Sequence, residues 1–353
     1  MVVQTHLDPS TSHTSTYMTP QTHPDTPNDA SAPIHHERVT LANGTTLQMR
    51  VCRPPVASDD GVGSAANTTA NAPPDTPTTK LLMFVHGFPE AAFVWDGLMA
   101  HFAQPANGGY TCIAPNLRGF GDSDSPNNID AYKPKYLVDD LACLIAHYSN
   151  GPLAALVAHD WGGAVAWNLA ATRPELMQRL FIINAPHPTT FLRDLRSSPA
   201  QQAASAYMNY LVREDAELRL SANDFAKLWP LFNDTLGQAP AWLTETVKQQ
   251  YREVWSKGLT GGCNYYRASP LRPALAPTDA INTLVIPDAL THVNVPTTVL
   301  WGLQDRALLP GLLQGLDQHV TKLKLQTITN ASHWLVHEQP RLVIENLQRL
   351  LAH

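Results

Sequence analysis

Charge is scarce in this chain of 353 residues: Asp, Glu, Lys and Arg make up 15% of it and leave a formal net charge of −6. No basic run is long enough to follow a phosphate backbone or an anionic lipid surface, so neither nucleic acid nor membrane is an expected partner. Cysteine is rarer still. Cys52, Cys112, Cys143 and Cys263 are widely spaced, which excludes both a metal-ligand cluster and a secreted disulfide framework and predicts buried free thiols. Uninterrupted apolar runs of about 18 residues are absent as well. The best candidate, residues 153–171, is broken by His159 and Asp160. The N-terminus shows no basic segment followed by an apolar one, so no secretory or transit peptide is read there, and a cytoplasmic location is the expectation.

Thr, Ser, Pro and His dominate residues 1–33, without apolar periodicity, and these read as a disordered tail. Two alternating segments, Glu37 to Leu41 and Thr45 to Val51, flank Asn43-Gly44, a strong hairpin signal because both residues tolerate positive φ. Residues 54–79 are again rich in Pro, Ala, Thr and Asp, and read as a flexible insertion between strands.

Beyond the insertion, apolar strand patterns at residues 80–85, 111–115, 153–157 and 180–184 alternate with helical ones, including one over 136–148. Alternation of this kind predicts a mostly parallel sheet covered by helices on both faces, with ligands beyond the carboxyl ends of the strands. From about 188 to 288 the pattern becomes wholly helical. Its clearest segments are 206–211, 225–229 and 247–255, which read as a cap inserted over the site. Strands resume at 297–302 and 323–328. The last helix carries Val343, Leu347, Leu350 and Leu351 on one face. The expected organisation is therefore a core in two parts, 34–187 and 289–353, interrupted by the cap at 188–288.

The chemistry centres on Asp160. The apolar run ending at Ala158 passes through His159 to Asp160, and Gly162, Gly163, Ala166 and Ala170 follow at helical spacing. A strand that turns directly into a helix crowds its turn residue, and small neighbours relieve the crowding. This is the nucleophile-elbow pattern of the α/β-hydrolase fold, with Asp where esterases carry Ser. A carboxylate is already ionised at neutral pH and can displace a leaving group from saturated carbon, forming an ester. Taken alone, Asp160 could equally be a helix cap. Asp305 after one late strand and His333 after the last supply what a carboxylate nucleophile lacks, in the order nucleophile, acid, base. His333 would activate water against the ester, and Asp305 would orient the imidazole. The tetrahedral oxyanion that follows needs two inward N–H groups, expected from the backbones of Phe88 and Trp161.

Taken together, His86-Gly87-Phe88-Pro89-Glu90, Arg118-Gly119-Phe120-Gly121-Asp122-Ser123-Asp124, His159-Asp160-Trp161-Gly162-Gly163 and Asn264-Tyr265-Tyr266-Arg267 resemble the soluble epoxide hydrolases. The resemblance runs from about residue 34 to the C-terminus, leaving out 54–79. It implies an α/β-hydrolase core with a cap whose two tyrosines hold the epoxide oxygen. Tyr266 matches the first of these, and Tyr207 the second, with Tyr210 as the alternative. It also implies a small apolar epoxide and water as substrates, with no metal or organic cofactor. Tyr265, Trp229, Trp242 and Trp255 read as packing or pocket lining.

Two other functions share parts of this pattern. Haloacetate dehalogenases follow the nucleophile with Arg and place another Arg three residues later, where this chain has Trp161 and Ala164. Haloalkane dehalogenases keep the Trp but commonly carry Asn at the position of Phe88. A ligand-binding receptor on the same fold would have little use for a complete set of Asp160, Asp305 and His333. Oligomeric state is not legible in the sequence.

Overall fold

The computed structural model describes residues 32–55 and 80–352, so the expected tail and insertion lie almost wholly outside the described residues. Eight strands form one sheet: β1 (Ile34–Thr40), β2 (Thr46–Cys52), β3 (Leu81–Val85), β4 (Thr111–Pro115), β5 (Ala155–His159), β6 (Leu180–Ile183), β7 (Thr297–Gly302) and β8 (Leu323–Ile328). Their order is β1-β2-β4-β3-β5-β6-β7-β8. The first two pairings, β1 with β2 and β2 with β4, are antiparallel, and all others are parallel. The turn between β1 and β2 is the expected one, with Gly44 at φ +85° and the Asn43 side chain accepting from the Thr45 amide at 3.1 Å.

Strands β3, β5, β6 and β7 are buried along their whole length, which is why they appear in the sequence as unbroken apolar runs. Successive residues face opposite sides. Leu81, Met83 and Val85 join one core cluster, while Leu82 and Phe84 join the other. Edge strand β8 is largely exposed and carries Lys324 and Gln326, which blunt it against further pairing.

The helices, in chain order, are α1 (Asp96–Ala103), α2 (Pro134–Tyr148), α3 (Asp160–Thr172), α4 (Pro188–Ser197), α5 (Pro199–Ala204), α6 (Tyr207–Leu211), α7 (Ala216–Phe225), α8 (Glu245–Trp255), α9 (Thr260–Ala268), α10 (Leu335–Glu338) and α11 (Pro340–Leu351). Among the described residues between β6 and β7 there is no strand of the sheet, only α4 to α9 and shorter 3-10 turns. Among the described residues, no helix is long and apolar enough to cross a membrane.

One expected helical segment, 225–229, is not a helix. Helix α7 ends at Phe225, a turn follows, and a 3-10 turn begins at Trp229. Asn223, Asp224 and Phe225 all have positive φ, which breaks helical geometry; Asn and Asp adopt that region more readily than most residues. The bend is tied from outside. Arg252 donates to both carboxylate oxygens of Asp224, and Trp229 Nε1 donates to the Asp224 carbonyl at 2.7 Å.

The inserted helices are fastened to the core by side-chain donors aimed at core acceptors. Trp255 Nε1 donates to the Pro89 carbonyl at 2.7 Å, and Tyr265 Oη to the Arg118 carbonyl at 3.1 Å. Packing there is closest at two glycines. A Cβ built on Gly261 in α9 would lie 2.2 Å from the Gly119 Cα, so the core loop and the helix meet backbone against backbone. Gly119 itself sits at φ +90°. Its loop is pinned by Arg118, which forks onto Asp140 at 2.8 and 2.7 Å and reaches the Thr45 hydroxyl at 2.7 Å.

Candidate active site

Asp160 opens α3 directly from the end of β5 with φ at +50°. For a residue with a side chain this is strained backbone, and the surroundings hold it there. A Cβ on Gly162 would lie 2.4 Å from the Val85 carbonyl oxygen, and one on Gly163 would lie 2.2 Å from the Ala185 Cβ. The two glycines thus let the first turn of α3 press against the ends of the neighbouring strands. Asp160 Oδ1 accepts a hydrogen bond from the Phe88 amide at 2.8 Å, while Oδ2 faces His333 Nε2 at 3.6 Å.

His333 lies in the loop between β8 and α10, and Asp305 follows β7. The His333 Nδ1–H donates to Asp305 Oδ2 at 2.7 Å, which fixes the ring with Nε2 toward Asp160. Asp305 is buried and fully engaged. Its Oδ1 accepts from the Ala307 and Leu308 amides, and its Oδ2 also accepts from Asn184 Nδ2 at 2.8 Å. Burial alone would raise its pKa, but the His333 charge and these donors hold it below the usual carboxylate range. For His333 the balance runs the other way. Burial lowers its pKa, but the Asp305 carboxylate and the Asp160 charge outweigh burial and raise it to about 9.

A stability prediction follows from that value. His333 is protonated more tightly when folded than the ordinary histidine value of 6.5. Its contribution is therefore complete below about pH 6.5 and is lost as pH rises through about 9, a loss on the order of 3 kcal/mol. The melting temperature of the wild type should fall across this window, and that of His333→Gln should fall less. Equal slopes in a calorimetric pH series would refute the assignment.

Tyr207, at the start of α6, and Tyr266, in α9, stand in the same cavities as Asp160, with their rings 6.1 Å apart. Tyr266 packs edge-on against Phe88 at 5.6 Å and Trp161 at 5.0 Å. Burial, followed by the charges of Asp160 and Asp305, raises the Tyr207 pKa; burial, Tyr207 and Asp160 raise that of Tyr266. Both phenols therefore hold their protons at neutral pH. Tyr210 lines neither cavity; its hydroxyl is buried with no hydrogen-bond partner among the described residues, and its ring lies under Lys227. The aromatic residues expected to pack do so, and Tyr265 also lines a cavity with Asp160.

A buried ionic layer beneath His333 is not singled out by the sequence pattern. Glu90 receives His159 Nδ1 at 2.9 Å, His337 Nε2 at 2.6 Å and Tyr251 Oη at 3.1 Å. Burial opposes its ionisation, but His159 and His337 hold its pKa well below the usual range. The His159 ring also spans to the His333 backbone carbonyl through Nε2 at 2.9 Å. Each nitrogen of the His159 ring thus has a buried oxygen within hydrogen-bond distance, which fixes the plane of the ring between Glu90 and the His333 backbone. The layer thus fixes the backbone that carries His333. Its only sequence signal was position: Glu90 closes one motif and His159 precedes the nucleophile. Among the described residues, no group of three or more His, Cys, Asp or Glu is arranged to hold a metal ion.

Known proteins share this architecture. A sequence profile described as alpha/beta hydrolase fold matches residues 80–340. The chain is 35% identical over 266 residues to the AB hydrolase superfamily protein YfhM of Bacillus subtilis (strain 168), spanning 74% of this chain and 87% of that protein. It is 33% identical over 273 residues to Epoxide hydrolase 3 of Xenopus tropicalis, spanning 74% of this chain and 69% of that protein. A crystal structure of the Bacillus megaterium epoxide hydrolase with an inhibitor superposes with a TM-score of 0.73 at 26% identity, covering 90% of this chain and all of that one.

Proposed function

For a chain that belongs to the epoxide hydrolases of the α/β-hydrolase family, we propose that it converts an apolar epoxide to a vicinal diol through an ester on Asp160. The phenol pair carries the reading: Tyr207 and Tyr266 share both cavities with the carboxylate, where an opening epoxide would need its oxygen protonated. The Phe88 amide engages Oδ1, so Oδ2 is the free nucleophile. Oδ2 bonds to one ring carbon as the carbon–oxygen bond of the ring breaks, and the resulting alkoxide takes a proton from Tyr207 or Tyr266. In the second step His333 Nε2 removes a proton from water, and the hydroxide adds to the Asp160 carbonyl carbon. The amides of Phe88 and Trp161 stabilise the oxyanion, each such donor contributing about 2.7–4 kcal/mol of barrier lowering. Collapse breaks the bond between the carbonyl carbon and Oδ2. The proton left on the added hydroxyl passes to the departing oxygen to complete the diol, and the proton on His333 returns to the tyrosinate, which restores carboxylate, imidazole and phenol.

Esterification also prepares the second step. It removes the Asp160 charge, one of those that hold the proton on His333. The imidazole therefore becomes easier to deprotonate at the stage where a neutral base is needed. The residues beside the nucleophile, Trp161 and Ala164, offer no cation for a haloacetate carboxylate.

The test is sustained diol release from an aryl-substituted epoxide, together with a single turnover in ¹⁸O-labelled water. The label is expected in the Asp160 carboxylate and not in the first diol formed. Labelled diol from the first turnover would mean direct attack by water on the epoxide, and binding without diol release would favour a receptor.

A further inference from the structure

The two cavities that meet at Asp160 differ in chemistry. One runs past Leu137, Val165, Phe191, Met208 and Leu271 and is mostly apolar, with Asn168 and Ser269 its uncharged polar side chains besides the tyrosines. The other contains His333 and continues past Ser332, Gln304 and Asn233 to Arg306. Both include Asp160, Tyr207 and Tyr266, so an epoxide held between carboxylate and phenols has open space on either side. Substituents on its two ring carbons would enter different surroundings.

Arg306 is exposed where it lines the polar cavity. It follows Asp305, whose carboxylate is turned inward onto the amides of Ala307 and Leu308. The guanidinium donates from Nη1 to the Asp234 backbone carbonyl at 2.8 Å, and no ion pair joins it to a carboxylate among the described residues. The Asp234 carboxylate is turned onto its own turn, where Oδ1 accepts from the Leu236 and Gln238 amides, and it makes no ion pair with Arg306. A guanidinium has five N–H donors in a planar fork that matches a carboxylate. Among the described residues lining the same cavity, the only other Asp, Glu, Lys, Arg or His side chains are Asp160 and His333, both committed to the reacting centre.

We propose that Arg306 selects 1,2-disubstituted epoxides with one apolar arm, seated in the cavity beside Phe191, and a second arm ending in a carboxylate. This inference rests on the epoxide reading above and adds to it a substrate class and the residue that recognises it. An arginine that served only to hold the 233–237 turn would affect all substrates alike, and this difference decides the test.

Two internal epoxides with the same aryl arm, one ending in a carboxylate and the other in a primary amide, are compared by kcat/KM. The wild type is expected to prefer the acid about tenfold, and the preference should shrink as salt is raised. In Arg306→Gln the acid-to-amide ratio should approach one, in Arg306→Glu it should invert, and Arg306→Lys should retain part of it. A wild-type ratio near one, or a ratio unchanged in Arg306→Gln, overturns the proposal. Should the glutamine variant fail to fold, the salt series on the wild type separates the same two outcomes: a preference that ignores salt is not Arg306's charge at work. No diol from either compound overturns this inference; the epoxide reading falls as well only if the simple aryl-substituted epoxide also gives no diol.

Discussion

Mixed with a styrene-oxide-like epoxide, a His333→Gln variant should stop at a stable hydroxyalkyl ester on Asp160 after a single event per chain. Steady-state diol release should fall by roughly 10⁴-fold, the upper range for loss of a positioned general base. Asp160 retains what it needs for attack in this variant, since Oδ1 still accepts from the Phe88 amide and the strained turn does not involve His333. The side chain lost is the one whose Nε2 faces Oδ2 at 3.6 Å and would activate water. Glutamine cannot take a proton from that water. Peptide mapping by mass spectrometry reads the result as an epoxide-sized mass increase on the peptide containing Asp160. A chloroalkane tested in parallel should leave no adduct. An adduct from the chloroalkane alone would sink the epoxide assignment and favour a dehalogenase, because halide departs without a proton donor and an alkoxide does not.

The second large effect concerns ring opening. Replacing both Tyr207 and Tyr266 by Phe should slow formation of the ester by roughly 10⁴-fold, whereas either single change should slow it by about 10²-fold or less because the other phenol remains. Phenylalanine keeps the ring, so the edge-on packing of residue 266 against Phe88 and Trp161 is conserved and only the hydroxyl is lost. Both hydroxyls are held protonated by burial and by the charge of Asp160, which suits donation to an alkoxide. Rapid-quench mass spectrometry of the ester isolates this step from hydrolysis. An unchanged rate of ester formation in the double variant would remove the phenols from the reaction.

Much of the architecture was legible because of how it is buried. Strands covered on both faces must be apolar at every position, so β3, β5 and β7 stand out as runs, and the change to a wholly helical pattern after β6 is equally plain. The elbow was legible because Gly162 and Gly163 have no room for a side chain. The two tyrosines were reachable only through the resemblance of their flanking motifs. In the structure Arg267 has a mechanical part in one of these, bridging α9 to Glu217 and to the carbonyls of Val212 and Arg213. What stayed hidden is what pairs across long separations. Glu90, His159 and His337 are ordinary surface residue types, and only the fold brings them into one buried layer. Asn184 was equally silent: it directly follows β6 at φ +40° and bridges Asp305 to the Gly302 amide, and no local pattern encodes that role. The left-handed run at 223–225 failed to register because its neighbours form helices readily.

The contact between Gly119 and Gly261 limits how this enzyme can be rebuilt. Side chains between two parts of a molecule can repack, but touching backbones cannot, so the height of Tyr266 above Asp160 is gauged by the thickness of two peptide chains. The inserted helices are consequently not an interchangeable module. Grafting them from a relative with different selectivity requires moving the 118–121 loop with them; otherwise even one added methyl group at that seam lifts the Tyr266 phenol away from Asp160, and from the oxygen we propose it protonates.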